Sequence, residues 1–474
     1  MLFVDFFWIR RYDMERIISP AFGVMNVTKD RSFYKSFFIL CGTLVLQNII
    51  VLSVNLADNV MIGGYSEISL SGVAAVNQIQ FILQQVVNGV GDVIVVVASQ
   101  YWGQKRLEPI RQISAIGTKI ALGIAVVLFT LVSFFPEGTL RIFTNDETIV
   151  AEGVRYLKIV RFTYPVFALT TALLATLRSV ETVRIALLIS LSTLILNCSI
   201  NYTLISGHFG APELGVVGAA IGTLTARCVE LVIVVFYLVF WDQRLKLRLR
   251  DLLGWNRELA KTYIKVGLPA IATAGLWGAS NALQTVILGH MTANAIAANS
   301  MASTLYLTLK VGSVGAASAA SILIGKTIGS GAGLPKIKEY SRTLQVLFLC
   351  IGAVISAGLF FLRGPVLSLY RLSDETRALA NSFLLVFCVT GFGMSYQMPT
   401  QTGIIRGGGD TRFVLINDLI SIWGIVLPVS ALAAFVFHWP PVAVVICLNA
   451  DQVFKCGAAS IHCNRYRWIK KLTQ

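Results

Sequence analysis

Residues 36–64 read SFFILCGTLVLQNIIVLSVNLADNVMIGG. The first twenty or so are dominated by apolar types, about the length that crosses a bilayer as one helix. Near the far end stand Asn55, Asp58 and Asn59, and spacings of three and four put such groups on one helix face. A carboxyl buried in a bilayer costs on the order of several kcal/mol unless it faces protein or a water-filled cavity. Asp58 is therefore either a functional group or a residue at the outer headgroup level, and the rest of the chain has to decide.

Of 474 residues, 55% are hydrophobic and 13% charged, against roughly 25% charged in soluble domains. Such a chain is a polytopic membrane protein. The net charge of +15 could suggest a nucleic-acid partner, but the basic residues lie between apolar runs, where they act as topology signals, and no nucleic acid is expected. The eight cysteines sit mostly inside apolar runs with no CxxC pattern, so neither a disulfide framework nor a zinc site is supported. The four histidines fall at segment ends, with none of the spacing of a metal hydrolase. An enzyme is not expected, and no cofactor beyond a coupling ion. The opening MLFVDFFWIRRYDMERI places its apolar patch before its basic residues, the reverse of a signal peptide. Residues 1–35 are read as a cytoplasmic extension, in part an interfacial helix.

After the first span, apolar segments follow at about 73–101, 113–135, 159–177, 185–206, 215–240, 264–289, 295–325, 342–362, 380–405, 413–437 and 441–461. The fold expected is all-α, with twelve membrane-spanning helices. Basic residues set the orientation. They crowd the stretch before span 1, the loops after the even-numbered spans, the stretch 241–265 between spans 6 and 7, and the tail, 28 in all, against seven in the opposite loops. Both termini are expected to be cytoplasmic, in a multi-pass protein of the plasma membrane.

The chain also repeats. Asp146-Glu147-Thr148 recurs as Asp374-Glu375-Thr376, and Arg178 and Arg184 recur at the same offset as Arg406 and Arg412. Each half has an even number of spans, so both enter the membrane in the same direction and are related by an axis along its normal. The expected organisation is an N-lobe at 36–240, a cytoplasmic linker at 241–262, a C-lobe at 263–462 and a tail at 463–474. Two parallel six-helix lobes around a central cleft suit alternating access.

Orientation turns position into depth. Asp58, Asn197, Asn201 and Thr223 fall at similar depth in the outer part of the first lobe, with Asn77, Gln80 and Gln84 in the outer half of span 2. A carboxylate, carboxamides and a hydroxyl are hard oxygen ligands for a small cation, or a network that can hold a proton on Asp58. Interhelical hydrogen bonding explains the amides but not the carboxylate, which favours function for Asp58. Arg227 and Glu230, three apart, read as a structural ion pair, and Asp451 and Lys455 as another. Asp92 is either a proton relay or part of an inner vestibule. Asp418 and Lys455 lie near the cytoplasmic face and read as pairing or snorkelling groups. Lys310, at mid-span, must face the bundle or snorkel.

LADNVMIGG (56–64), ASQYWGQKR (98–106), LRSVETVR (177–184), LNCSINYTLISGHFGAPELGVVGAAIGT (196–223), GLPA (267–270) and IIRGGGDTR (404–412) together resemble the multidrug and toxic compound extrusion (MATE) family, over about 36–465. The resemblance implies an antiporter that expels amphipathic, often cationic, compounds against inward flow of Na+ or H+. It implies that Asp58 is the family's helix-1 acid and that Asn197, Asn201 and Thr223 are its partners, a Na+ site if sodium is the coupling ion. Cleft-lining candidates are Asn55, Asn77, Gln80, Gln84, Lys310, Gln397 and Gln401. Three positions depart from the family pattern: Thr43 stands where many members have a helix-1 proline, and Trp277 and Ser395 where sodium-coupled members have acids. Some proton-coupled members have Asp at the place of Asn201, so the coupling ion stays open. The expected partners are a small amphipathic substrate and the lipid bilayer, and a monomer is expected. A flippase of the same superfamily, moving a lipid-linked sugar, is the alternative; it would want several arginines in the cleft, and the first lobe offers Arg227.

Overall fold

Ser66 ends one long helix and starts the next. In extended conformation it donates its N–H to Ile62 O at the end of helix α1 (Arg31–Tyr65), and its hydroxyl accepts from Ser69 N at the start of α2 (Glu67–Gly103), satisfying end groups that a helix leaves unpaired. The other end of α1 is capped by Asp30, whose carboxylate accepts from Ser32 N and Phe33 N. The computed structural model describes residues 27–144, 146–289, 291, 293–368 and 373–473; the reading of residues 1–26 lies outside it.

Further helices are α3 (Leu107–Phe134), α4 (Glu147–Val160), α5 (Thr163–Ser179), α6 (Arg184–Ile205), α7 (Val216–Phe236), α8 (Arg257–Gly289), α9 (Ala293–Gly329), α10 (Leu334–Ser368), α11 (Asp374–Met398), α12 (Thr411–Asp418), α13 (Pro441–Asn449) and α14 (Asp451–Asn464). α11 runs on through a π-helical stretch to Ile405, and α12 continues through mixed π and α turns to Val436. All regular structure among the described residues is helical.

Among the described residues ten helical spans are long and apolar enough to cross a membrane, and α4 with α5, bent by 51° at their break, makes an eleventh when the pair is counted as one span. The seventh expected span is α8, 33 residues long, whose Thr, Ser, Asn and Gly content leaves it less apolar than the others. The fourth span departs from expectation: expected to begin near 159, it begins at Glu147 behind an Asp146 cap that accepts from Thr148 N and Ile149 N. Val150, Gly153, Tyr156, Leu157 and Val160 form its buried face, a helical period that the polar residues around it mask. The twelfth span is divided at Ala450 into α13 and α14.

Packing follows the halves of the chain. The halves meet chiefly through α1 against α9, α2 against α8, and α2 against α9. These contacts are reciprocal: exchanging the first two helices of one half with those of the other leaves the set unchanged. Along α2, residues 87–101 are almost all buried while 67–86 include many exposed positions; along α9, 311–329 are buried and 294–310 are more open. The halves are therefore packed together at the end carrying the basic loops and diverge toward the other end, as a wedge.

At the packed end, small residues let backbones touch. A Cβ added at Gly325 would overlap Ser99 Oγ, and one at Gly329 would overlap the Gln100 carbonyl. The segment between the halves is docked on α3, where Arg111 donates to Leu245 O at 2.9 Å and Lys119 to Leu253 O at 2.9 Å.

Candidate functional site

α1 carries Asp58 two turns before its end, and α6 packs beside it. Asn201 Nδ2 donates to Asp58 Oδ1 at 2.6 Å and lies 3.3 Å from Asn197 Oδ1. Asn197 and Asn201, one turn apart on α6, are 1% and 0% exposed. Their partner helix α7 comes close because position 222 is glycine: a Cβ there would overlap Asn201 Oδ1. Thr223 follows on the same helix. Its hydroxyl faces the Tyr156 phenol of α4 without closing a well-formed hydrogen bond, and Asn201 Oδ1 is likewise buried without a donor.

The charges around this cluster are partly balanced. Arg227 on α7 bonds Glu230 at 2.8 Å, packs over the Phe167 ring at 5.3 Å, and acts on Asp58 through space. With Glu230 taken by Arg227, Asp58 is left, among the described residues, without an ion-pair partner. Two buried oxygens without donors beside a carboxylate match what a small hard cation requires. They equally suit a protonated carboxyl, which gains a donor the ionised form lacks. Asp58, Asn197 and Asn201 thus come together, and Thr223 adjoins them through Tyr156, on which Asp58 acts through space. Tyr156 joins them from the helical stretch that was expected to lie outside the membrane; the three- and four-residue spacing of Val150, Gly153, Tyr156 and Leu157 is the signal that marks it.

The other candidates are dispersed. Asn55 and Asn77 are exposed, and Gln80 and Gln84 half-buried on the part of α2 that has left the second half. Gln397 and Gln401 are buried inside the second half. There Asn417 donates to Gln401, Gln401 to Gln397, and Gln397 to Gln452, at 3.1, 2.7 and 2.9 Å. Gln452 in turn donates to Asp451 at 2.9 Å. Lys455 pairs with Asp451 at 3.1 Å, as expected, and with Asp418 at 2.7 Å. Lys310, at the middle of α9, lies with Nζ 5.2 Å from the Trp277 ring centre.

Asp92, read from the sequence as a relay group or a vestibule lining, is held in an ion pair with its side chain 33% exposed. It pairs at 2.6 Å with Arg406 of the other half. A second inter-half pair joins Glu181 and Lys326 at 2.8 Å. The tail completes this closed end: Gln100 donates to Lys470 O and accepts from Leu472 N, at 3.1 and 2.8 Å, while Gln104 donates to Thr473 at 2.8 Å. Lys470 also reaches Asp410 at 2.8 Å, with His462 on the other carboxylate oxygen at 3.0 Å. Burial opposes the charge on Asp410, but the hydrogen bonds from His462 and Lys470 win and hold its carboxyl low, at about 2.

Comparison with known proteins places this arrangement. The model of the family described as MatE matches residues 44–203 and 269–432, one stretch in each half. An uncharacterised transporter of Bacillus subtilis, YisQ, is 23% identical over 85% of this chain and 88% of its own. A probable multidrug resistance protein, NorM, of Streptococcus pneumoniae is 27% identical over 80% of this chain and 83% of its own. Among solved structures, the eukaryotic MATE transporter AtDTX14 superposes with a TM-score of 0.82 at 16% identity, over 93% of this chain and 97% of that one. The Vibrio cholerae MATE transporter VcmN in its bent form gives 0.80 at 18% identity, over 92% and 97%.

Proposed function

The chain belongs to the MatE family, whose members are transporters and not enzymes, and from that premise we propose that it is a multidrug efflux antiporter. It exports amphipathic compounds in exchange for Na+ or H+. The observation that carries the reading is the Asp58 cluster: a carboxylate with no ion-pair partner among the described residues, held by Asn201 and lined by two buried oxygens without donors. Ion and substrate bind in the same half-open wedge, so occupancy by one alters the free energy of the other, which is what coupling requires.

In this proposal the end with the basic loops faces the cytoplasm of a plasma membrane, both termini with it, and residues 36–240 and 263–462 move as two lobes. The wedge then opens outward. Export requires the cytoplasmic end to open in turn, which breaks the Asp92–Arg406 and Glu181–Lys326 pairs and lifts the tail from Gln100. A single chain provides both halves of the cleft, so the working unit is a monomer. The flippase alternative gains no support, since the arginine it would use, Arg227, is neutralised by Glu230.

The deciding experiment is efflux of a cationic dye from cells or everted vesicles, with sodium and proton gradients imposed separately. One of the two gradients is expected to drive dye movement and the other not. Dye movement that ignores both would exclude antiport.

A further inference from the structure

The floor of the wedge carries a cation that the Asp58 cluster does not use. Lys310 stands at the middle of α9, where an unneutralised ammonium is costly and marks function by default. Its nitrogen lies over the indole of Trp277, 5.2 Å from the ring centre. Trp277 is 36% exposed, and its ring centre is 6.2 Å from that of Phe81 on α2. Lysine, tryptophan and phenylalanine therefore straddle the boundary between the halves, where the packed end gives way to the wedge.

Among the described residues no carboxylate is within ion-pair distance of Lys310. Asp451 acts on it through space but is committed elsewhere: Lys455 Nζ sits at 3.1 Å, and Gln452 Nε2 is 2.9 Å from each of its oxygens. Asp418 is held by the same Lys455. The contrast between the two lysines is informative. Lys455, 3% exposed, has two carboxylates; Lys310 has an aromatic face. A cation–π contact attracts an ammonium but supplies no negative charge to cancel it. A lysine kept for structure alone would be paired as Lys455 is.

We propose that this floor is a substrate subsite for an aromatic carboxylate, the anion pairing with Lys310 Nζ and the ring lying against Trp277 and Phe81. Lysine presents a compact point charge and not a planar fork, so the subsite selects charge and aromatic surface over a particular anion shape. Together with Asp58 in the first half it gives the wedge opposite poles, which fits amphoteric aromatic compounds as well as simple aryl acids. The inference rests on the export reading, since it names part of what is exported.

The test is binding to the purified full-length protein in detergent micelles, without a gradient, of three compounds of one shape: 2-naphthoate, 2-naphthamide and 2-(aminomethyl)naphthalene. A charge-assisted hydrogen bond gives on the order of tenfold or more in affinity. Wild-type protein should bind the carboxylate at least about tenfold more tightly than the amide. Lys310→Met should bring that ratio close to unity and leave amide affinity within about twofold. Lys310→Arg should keep the preference, and Lys310→Glu should turn it toward the amine. A wild-type protein that does not prefer the carboxylate, or a preference that survives in Lys310→Met, overturns the proposal. If Lys310→Met does not fold, the wild-type ratio and Lys310→Arg still decide. Export of a cationic dye by a protein lacking the preference would overturn this inference and leave the efflux reading standing.

Discussion

At position 222 the approach of α6 to α7 leaves no room for a side chain, because Asn201 Oδ1 fills the space a Cβ would need. Gly222→Ala should push Asn201 away from Asp58 at a cost of about 1–3 kcal/mol, the usual range for overpacking. Dye efflux should fall severalfold while the protein still folds and inserts. Gly123→Ala on α3, where a Cβ meets nothing within 4 Å, is the control; thermal midpoint and efflux rate are measured for both. Equal behaviour of the two variants would show that the close approach has no bearing on the site. Asp58, Asn197 and Asn201 were legible because helical spacing and the basic-residue bias together fix face and depth. The partner of Asp92 was not, since Arg406 is 314 positions away and periodicity carries no information on which helices meet. Gln397 and Gln401 show the same limit: their types suggested a cleft, and only packing reveals that each is used by another buried amide.

Among the elements, the fourth span shows where reading by apolar length fails: α4 was hidden because Glu147, Glu152, Arg155 and Lys158, on the faces beside its buried one, break the apolar run. The twelfth, expected at 441–461, is found at Pro441–Asn464. The long helices α2 and α9 behave differently along their length, and the inter-half pairs sit at their packed ends. With side-chain exposures of 14% for Arg406 and 33% for Asp92, their pair is partly solvated and worth about 1 kcal/mol or less. That is enough to shift a closed-to-open balance by roughly fivefold. Asp92→Asn should therefore speed labelling of a cysteine placed at Ser99, which is buried against Gly325, by a few fold from the basic-loop side. The exchanged pair Asp92→Arg with Arg406→Asp should restore slow labelling. Labelling unchanged by Asp92→Asn would show that the pair does not hold this end closed. The tail contact should persist well into acid: Asp410, held near 2, keeps the stabilisation from its ionised form above the ordinary carboxylate range and loses it only as pH falls toward 2.

For the whole molecule, the recurrence of Asp146-Glu147-Thr148 as Asp374-Glu375-Thr376 suggests a two-fold repeat, and the reciprocal contacts of α1, α2, α8 and α9 are what such a repeat entails. The direction in which the wedge opens was not readable, because a sequence pattern holds both alternating states equally. The halves also differ chemically: among the described residues the first holds a carboxylate, Asp58, without an ion-pair partner, and the second an ammonium without a carboxylate partner and a paired lysine with two aspartates. Coupling is then expected to reside in the first half, with Asp58 as the group that exchanges ion for substrate. The most direct measurement is gradient-driven dye export by Asp58→Asn in proteoliposomes, alongside dye binding to the same purified protein. The variant keeps the size and most of the hydrogen bonding of the residue but cannot hold a charge, so export should fall to the level of empty vesicles while dye binding persists. Export at the wild-type rate under the same gradient would contradict the account.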